Sequence, residues 1–303
     1  MSVRGKYLNP KADLTFKLVF GENKDLVMSL LNALLPLSEE EEITEVEYLS
    51  PEMVPNSYGK KFSIVDVQCK DRNGRRFLVE MQLYWDESFK QRVILNASKA
   101  VVKQVGEGED FTLLQPVYSL NLINDKAFDL ETDEFYHDYA IVNVEHSDRI
   151  IEGLRFIFIE LPKFQPKSVM EKKMAILWLR FLTEIDEKTE VVPPELLEDA
   201  ATSKALGIVE KSAMSEGQLH SYENFWYSLV NERVLLDSSF KRGSAVGFAK
   251  GLEEGLEKGR AEGRAEGRAE TIIELARSMK SIGIPITQIT TATGLSVSDI
   301  ESL

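Results

Sequence analysis

The stretch from 62 to 84 constrains the fold more than any other part of this 303-residue chain. Two alternating segments flank Asn73-Gly74, a strong hairpin signal. Odd positions carry Val65, Val67 and Cys69 before the turn, and Arg75, Phe77, Val79, Met81 and Leu83 after it. Even positions carry Ile64, Asp66, Gln68 and Lys70, then Arg76, Leu78, Glu80, Gln82 and Tyr84. A two-residue loop would pair 72 with 75 and set the apolar row of one strand against the polar row of the other. A three-residue loop, Arg72-Asn73-Gly74, pairs 71 with 75, and like then meets like. Register follows the hydrophobic pattern. The spacing therefore predicts a type I turn with a G1 bulge and Gly74 in the left-handed region. Asp66 then lies directly across from Glu80, with Gln82 next on the same face.

Two facing carboxylates about 5 Å apart at Cβ repel unless one holds a proton or both share a cation. Mg²⁺ suits such a pair, since it takes one or two carboxylates, waters and phosphate oxygens. The competing reading is a polar strand face whose acids pair with Lys70, Arg76 or a neighbouring strand.

The surrounding pattern is α/β. A helical period over 14 to 35 breaks at Gly21-Glu22-Asn23 and stops at Pro36, with Asp13 as an expected N-cap. Ile43 to Leu49 reads as a strand, followed by a loop with Pro51, Pro55 and Gly59. The hairpin is followed by a helix over 87 to 105 and a strand over 117 to 124. Residues 138 to 145 and 154 to 161 read as further strands. From 167 onward the period is helical, over 168 to 185, 195 to 211 and 216 to 236. Cys69 is the only cysteine and there are three histidines, which excludes a disulfide framework and argues against a zinc site.

Taken together, the residues resemble one group. Asp66 followed by Glu80-Met81-Gln82 resembles the D…(D/E)xK core of PD-(D/E)XK nucleases, in an E-x-Q form. Asn9-Pro10-Lys11-Ala12-Asp13, Phe16-Lys17, Phe20-Gly21, Leu31 to Leu35, Phe77 to Gln82, Gln91-Arg92, Pro116-Val117-Tyr118 and Ile159 to Phe164 are similar to the PD-(D/E)XK nuclease family transposases, also called recombination-promoting nucleases. The likeness spans about residues 7 to 235. It implies a restriction-endonuclease-like αβββαβ core with a helical C-terminal extension. It also implies metal-dependent DNA endonuclease activity linked to recombination or mobile DNA, with Asp66 and Glu80 as Mg²⁺ ligands. Gln82 would stand where the family has lysine, and neutral glutamine can only hydrogen-bond. A catalytically weak DNA- or protein-binding scaffold of the same fold is the alternative. Asp13 is a candidate third acid. Arg92, Asn96, Lys99 and Lys103 recur at helical spacing and are candidate phosphate contacts.

The formal charge of -14 argues against nucleic acid only if charge is averaged over the chain. Residues 60 to 103 hold ten basic side chains against five acids, and local charge governs a polyanion because screening acts within about 8 Å. Residues 251 to 270 repeat GLEE, GLEK, GRAE, GRAE, GRAE. Arg260, Arg264 and Arg268 stack along one row and Glu262 and Glu266 along another, so an isolated helix is weak. A second copy offering its Glu row to the Arg row relieves this, and homo-oligomerisation through 250–277 is expected. The expected division is 1–165 nuclease-like, 166–240 helical extension, 241–280 glycine-repeat helix and 281–303 small helical tail. With no apolar leader segment and no span of about 18 apolar residues, a cytoplasmic protein with no membrane partner is expected.

Overall fold

The turn sets the sheet. In the computed structural model, which describes residues 6–53, 63–106, 108–166 and 172–303, Gly74 has φ +84. The Asp71 N–H donates to the Arg75 carbonyl at 3.1 Å, and Asp71 Oδ1 accepts from the Asn73 and Arg75 N–H groups. This is the three-residue loop predicted from the hydrophobic pattern. Strands β4 (Val67–Asp71) and β5 (Arg76–Gln82) pair antiparallel from Lys70↔Arg76 to Val67↔Val79. A Cβ on residue 74 would lie 3.2 Å from Gln115 Cγ, in a backbone region that side chains rarely adopt.

Before the hairpin come α1 (Asp13–Phe16), a π-helical turn (Lys17–Gly21), α2 (Lys24–Leu34), β1 (Val46–Tyr48) and β2 (Glu52–Met53). A two-residue β3 (Ser63–Ile64) pairs with β2 apart from the main sheet. After the hairpin come α3 (Phe89–Val102), β6 (Val117–Ile123), β7 (Tyr136–Val142) and β8 (Ile150–Glu160). The six-stranded sheet has the order β1-β4-β5-β6-β8-β7, with β5, β6 and β8 parallel. The first strand is shorter than the 43 to 49 expected. The stretch expected as one strand over 62 to 70 is two pieces. Phe62, Lys60, Lys61, Pro55 and Gly59 lie outside the described residues, as does the start of the helix expected from 168.

The odd face of the hairpin, with Val67, Cys69, Phe77 and Val79, packs on Phe16, Phe20, Leu30 and Trp178 in the main core. Helices α4 (Lys173–Glu184), α5 (Pro194–Glu198) and α6 (Ala200–Val209) close this side. The even face is not solvated. Helix α3 covers it, and Leu78 packs on Ala97 and Ala100.

The chain divides into two compact units, Met1–Ser228 and Leu229–Leu303. The helix expected over 216 to 236 is the start of α7 (Glu216–Ser281), which runs unbroken for 66 residues. In the first unit, Tyr222 of α7 is fully buried against Leu8 and Ala12. In the second, α8 (Ile286–Thr293) and α9 (Val297–Ser302) form a small cluster of Ile289 and Ile300 on Ala276, with Gly294 left-handed between them. No helix among the described residues is long and apolar enough to cross a membrane.

Candidate active site

Asp66 stands where strand pairing stops. The alternating ladder would give the Met81 N–H to the carbonyl of Val65. Instead the chain turns off the sheet after Val67. Ile64 pairs with Glu52, and the Val65 N–H donates to the Pro51 carbonyl at 3.1 Å. The carboxylate of Asp66 replaces the missing acceptor, and its Oδ2 takes the Met81 N–H at 2.7 Å. This corrects the sequence expectation in two details. Asp66 follows the register but is not a ladder partner of Glu80, because the last pair is Val67↔Val79. Val65 leaves the row of Val67 and Cys69 and packs on the other face with Leu78, Ala97 and Ala100.

Glu80 lies under α3. The side chain of Asn96, fully buried, donates Nδ2–H to Glu80 Oε1 at 2.9 Å. One turn earlier on α3, Arg92 Nη2 donates to Gln82 Oε1 at 2.7 Å, and Gln82 Nε2 donates to the Tyr84 carbonyl at 2.6 Å. Residues two apart on the strand thus meet residues four apart on the helix, since both spacings keep one face. Of the competing partners, Lys70 and Arg76 are engaged elsewhere, whereas Asp66 does bond to the neighbouring strand β5 through the Met81 N–H. Lys70 pairs with Glu47 at 3.0 Å, and Arg76 donates to the Lys103 carbonyl at 3.2 Å.

Burial dominates the electrostatics. It raises the Glu80 carboxyl from 4.5 to about 7, with Asp66 pushing the same way and Asn96 and Arg92 opposing. It raises Asp66 from 3.8 to about 6, against the Met81 N–H, with Asp13 adding to the rise and Lys17 and Arg92 opposing. Glu80 lies in the field of Asp66.

Asp13 is not the helix cap. The N-cap is Ala12, and Asp13 is the first helical residue, paired with Lys17 at 2.6 Å. The cause lies upstream, where Asn9 Oδ1 already accepts the Lys11 N–H and the Asn9 carbonyl accepts from Thr15 and Ala12. The stripe on α3 also divides. Asn96, expected among the phosphate contacts, is fully buried and its amide donates to Glu80, which argues against that role. Lys103 Nζ donates to the Glu52 carbonyl at 2.9 Å, and Lys99, its ammonium pKa lowered by burial and then by Lys103, lies in the field of Lys103. Arg92 bonds to Gln82 of the Glu80-Met81-Gln82 segment.

A second buried acid entered the sequence reading only as part of a motif. Glu160 accepts from Lys163 Nζ at 2.8 Å and from the Ala127 N–H at 2.6 Å, and its other oxygen contacts are His137 Nε2 at 2.8 Å and the Phe128 N–H at 3.3 Å. Lys163 also donates to the Asp129 and Glu134 carbonyls. The signal in the sequence is an acid three residues before a lysine at the end of an apolar strand. The surface groove lined by Leu35, Leu37, Phe135, Tyr136 and Lys172 contains neither Asp66, Glu80 nor Glu160, and meets the Glu160 cluster only at Glu134.

The donor set of Asp66 and Glu80 fits a hard divalent cation. It consists of carboxylate oxygens, each acid has one oxygen held by a protein N–H, and burial leaves the pair short of positive charge. Among the described residues no three His, Cys, Asp or Glu side chains converge. No curated protein and no solved structure matches the chain. The family model described as PD-(D/E)XK nuclease family transposase matches residues 10–238, which contain Asp66, Glu80, Gln82 and the helix above them, and the chain belongs to that family.

Proposed function

We propose that this protein is a Mg²⁺-dependent DNA endonuclease acting in recombination or on mobile DNA, with Asp66 and Glu80 as metal ligands. The observation that carries this reading is the pair of desolvated carboxylates at the break in the β4–β5 ladder, both held above their ordinary pKa. A bound divalent ion supplies Lewis-acid polarisation of the phosphodiester and acidifies an attacking water. The chain's own residues do the rest. Asn96 fixes the rotamer of Glu80, and the Met81 N–H fixes that of Asp66. Gln82 carries no charge and orients through its amide. Asp13, adjacent in field to Asp66 and neutralised by Lys17, serves as an auxiliary acid. Lys99 and Lys103 provide a cationic flank for duplex DNA.

Plasmid cleavage with Mg²⁺ tests this. Asp66→Ala and Glu80→Ala each lower the rate at least about 10²-fold while duplex binding in Ca²⁺ persists. Equal cleavage by both variants and the wild type sinks the site. Binding without cleavage by the wild type favours the scaffold reading, to which the neutral Gln82 lends weight.

Self-association through 250–277 belongs to the same proposal. Leu252 and Leu256 are more than half exposed on one row of α7, continuous with the Arg260, Arg264 and Arg268 row. Leu252→Glu with Leu256→Glu lowers the sedimentation mass to that of one chain, and an unchanged mass defeats the idea.

A further inference from the structure

Gln82 occupies a position where a phosphate-handling site benefits from positive charge, and its amide has none. Its neighbour has. Arg92 Nη2–H donates to Gln82 Oε1 at 2.7 Å, a charge-assisted bond. The guanidinium also lies 4.9 Å from the ring centroid of Phe89, which is fully buried. The far side of Gln82 is tied by its Nε2 to the Tyr84 carbonyl. The amide is therefore oriented with its oxygen toward α3, and the arginine is held at two points.

The arginine is not used up by these contacts. A guanidinium has five N–H donors. Gln82 takes one, and Asp86 Oδ2 at 3.8 Å is too distant for a hydrogen bond. The side chain is 37% exposed, so it reaches solvent beside the two acids. Other nearby cations are committed elsewhere. Lys17 is bonded to Asp13, and Lys90 sits over the rings of Trp85 and Phe128. The same guanidinium field acts on both Asp66 and Glu80.

We infer that Gln82 and Arg92 act as one unit, in which Gln82 positions the guanidinium and Arg92 contacts the phosphate flanking the scissile bond. The inference rests on the nuclease reading for the word scissile, and on geometry alone for the phosphate contact. A bidentate guanidinium fork matches two phosphate oxygens, which a glutamine amide does not.

The test uses the full chain and a fluorescent DNA duplex. Anisotropy in Ca²⁺ gives the dependence of log affinity on log salt, and Mg²⁺ reactions give the cleavage rate. Arg92→Ala makes the salt slope shallower by about 0.9, the loss of one phosphate, and slows cleavage about 10²-fold. Arg92→Lys keeps the slope. Adding Gln82→Lys to Arg92→Ala recovers the slope and at least a tenfold part of the rate, because the charge returns on the strand. Thermal melts confirm that each variant is folded. A wild type that cleaves, with slope and rate unchanged in Arg92→Ala, overturns the contact alone. Loss of slope that Gln82→Lys does not recover overturns the unit of Gln82 and Arg92. A wild type that shows the slope change but no cleavage defeats the nuclease reading and leaves the contact standing. No DNA binding defeats both.

Discussion

Glu80 and Glu160 are both buried acids on the parallel part of one sheet, and they sit in opposite states. The register Gln82↔Ile123↔Glu160 sets them at nearly the same level, two strands apart. Glu160 is fully buried and Glu80 is 6% exposed. Burial alone raises a carboxyl pKa. For Glu160 burial is outweighed by Lys163, the Ala127 N–H, His137 and the Phe128 N–H, and its pKa falls below the ordinary value. Glu80 has the Asn96 amide as its hydrogen-bond donor, faces Asp66, and rises to about 7. Burial therefore does not by itself set the state of a carboxyl. The difference is whether the protein itself completes the charge. The Glu160 cluster is closed and ties the 124–135 loop to β8. The Asp66 and Glu80 carboxylates have only N–H donors of neutral groups as hydrogen-bond partners among the described residues.

The largest expected break in this comparison is Lys163→Met. It strands a buried charge and costs about 3–5 kcal/mol of stability, read as a lower urea midpoint. A loss under 1 kcal/mol would mean Glu160 is not closed in the way its contacts imply. Glu80→Gln acts with the opposite sign. The raised pKa means that the folded protein binds more protons than the unfolded chain between 4.5 and about 7, so metal-free stability falls as pH rises through that window. The glutamine removes this penalty and stabilises the metal-free protein at pH 8 by up to about 3 kcal/mol. Mg²⁺ raises the wild-type melting temperature at pH 8 more than at pH 5.5, and the Glu80→Gln protein responds little. Glu160 has the reverse linkage, with stability present above its unfolded pKa and lost as pH falls through the lowered folded value. Chemical denaturation of the two variants across pH separates them, and parallel curves would erase the contrast. The smallest effect belongs to His137→Gln, which removes one of the four partners of Glu160 among the described residues. It costs about 1 kcal/mol, and a cost as large as that of Lys163→Met would show that the imidazole, not the ammonium, is the main counter-charge.

Much of the site was legible because hairpins obey local rules. The alternation of apolar residues and the need for a left-handed Gly74 chose one register out of two, and the structure has that register. The same alternation misplaced Val65, because it presumes an unbroken strand. The break comes from residues far away in sequence, where Pro51 and Glu52 compete for the backbone of 64 and 65. Periodicity also marked one face of α3 as a stripe. It could not tell that Asn96 would be enclosed while Lys103 stayed exposed, since that depends on how the helix crosses the sheet. Asp13 carried a capping residue type at the right place, but Asn9 had already taken the turn.

By itself, the sequence determined the α/β order, the hairpin register and the pair of acids, because each rests on contacts within a few residues or on a repeating period. Membership of the nuclease family follows from motifs strung along 10–238. The tertiary structure alone decided that α3 lies over the polar face, that Asp66 takes the N–H the broken ladder leaves, and that Glu160 is neutralised while Glu80 is not. The physical reason is desolvation. An acid's state depends on which distant groups exclude water from it and which of them bring charge, and neither is written in its neighbours along the chain.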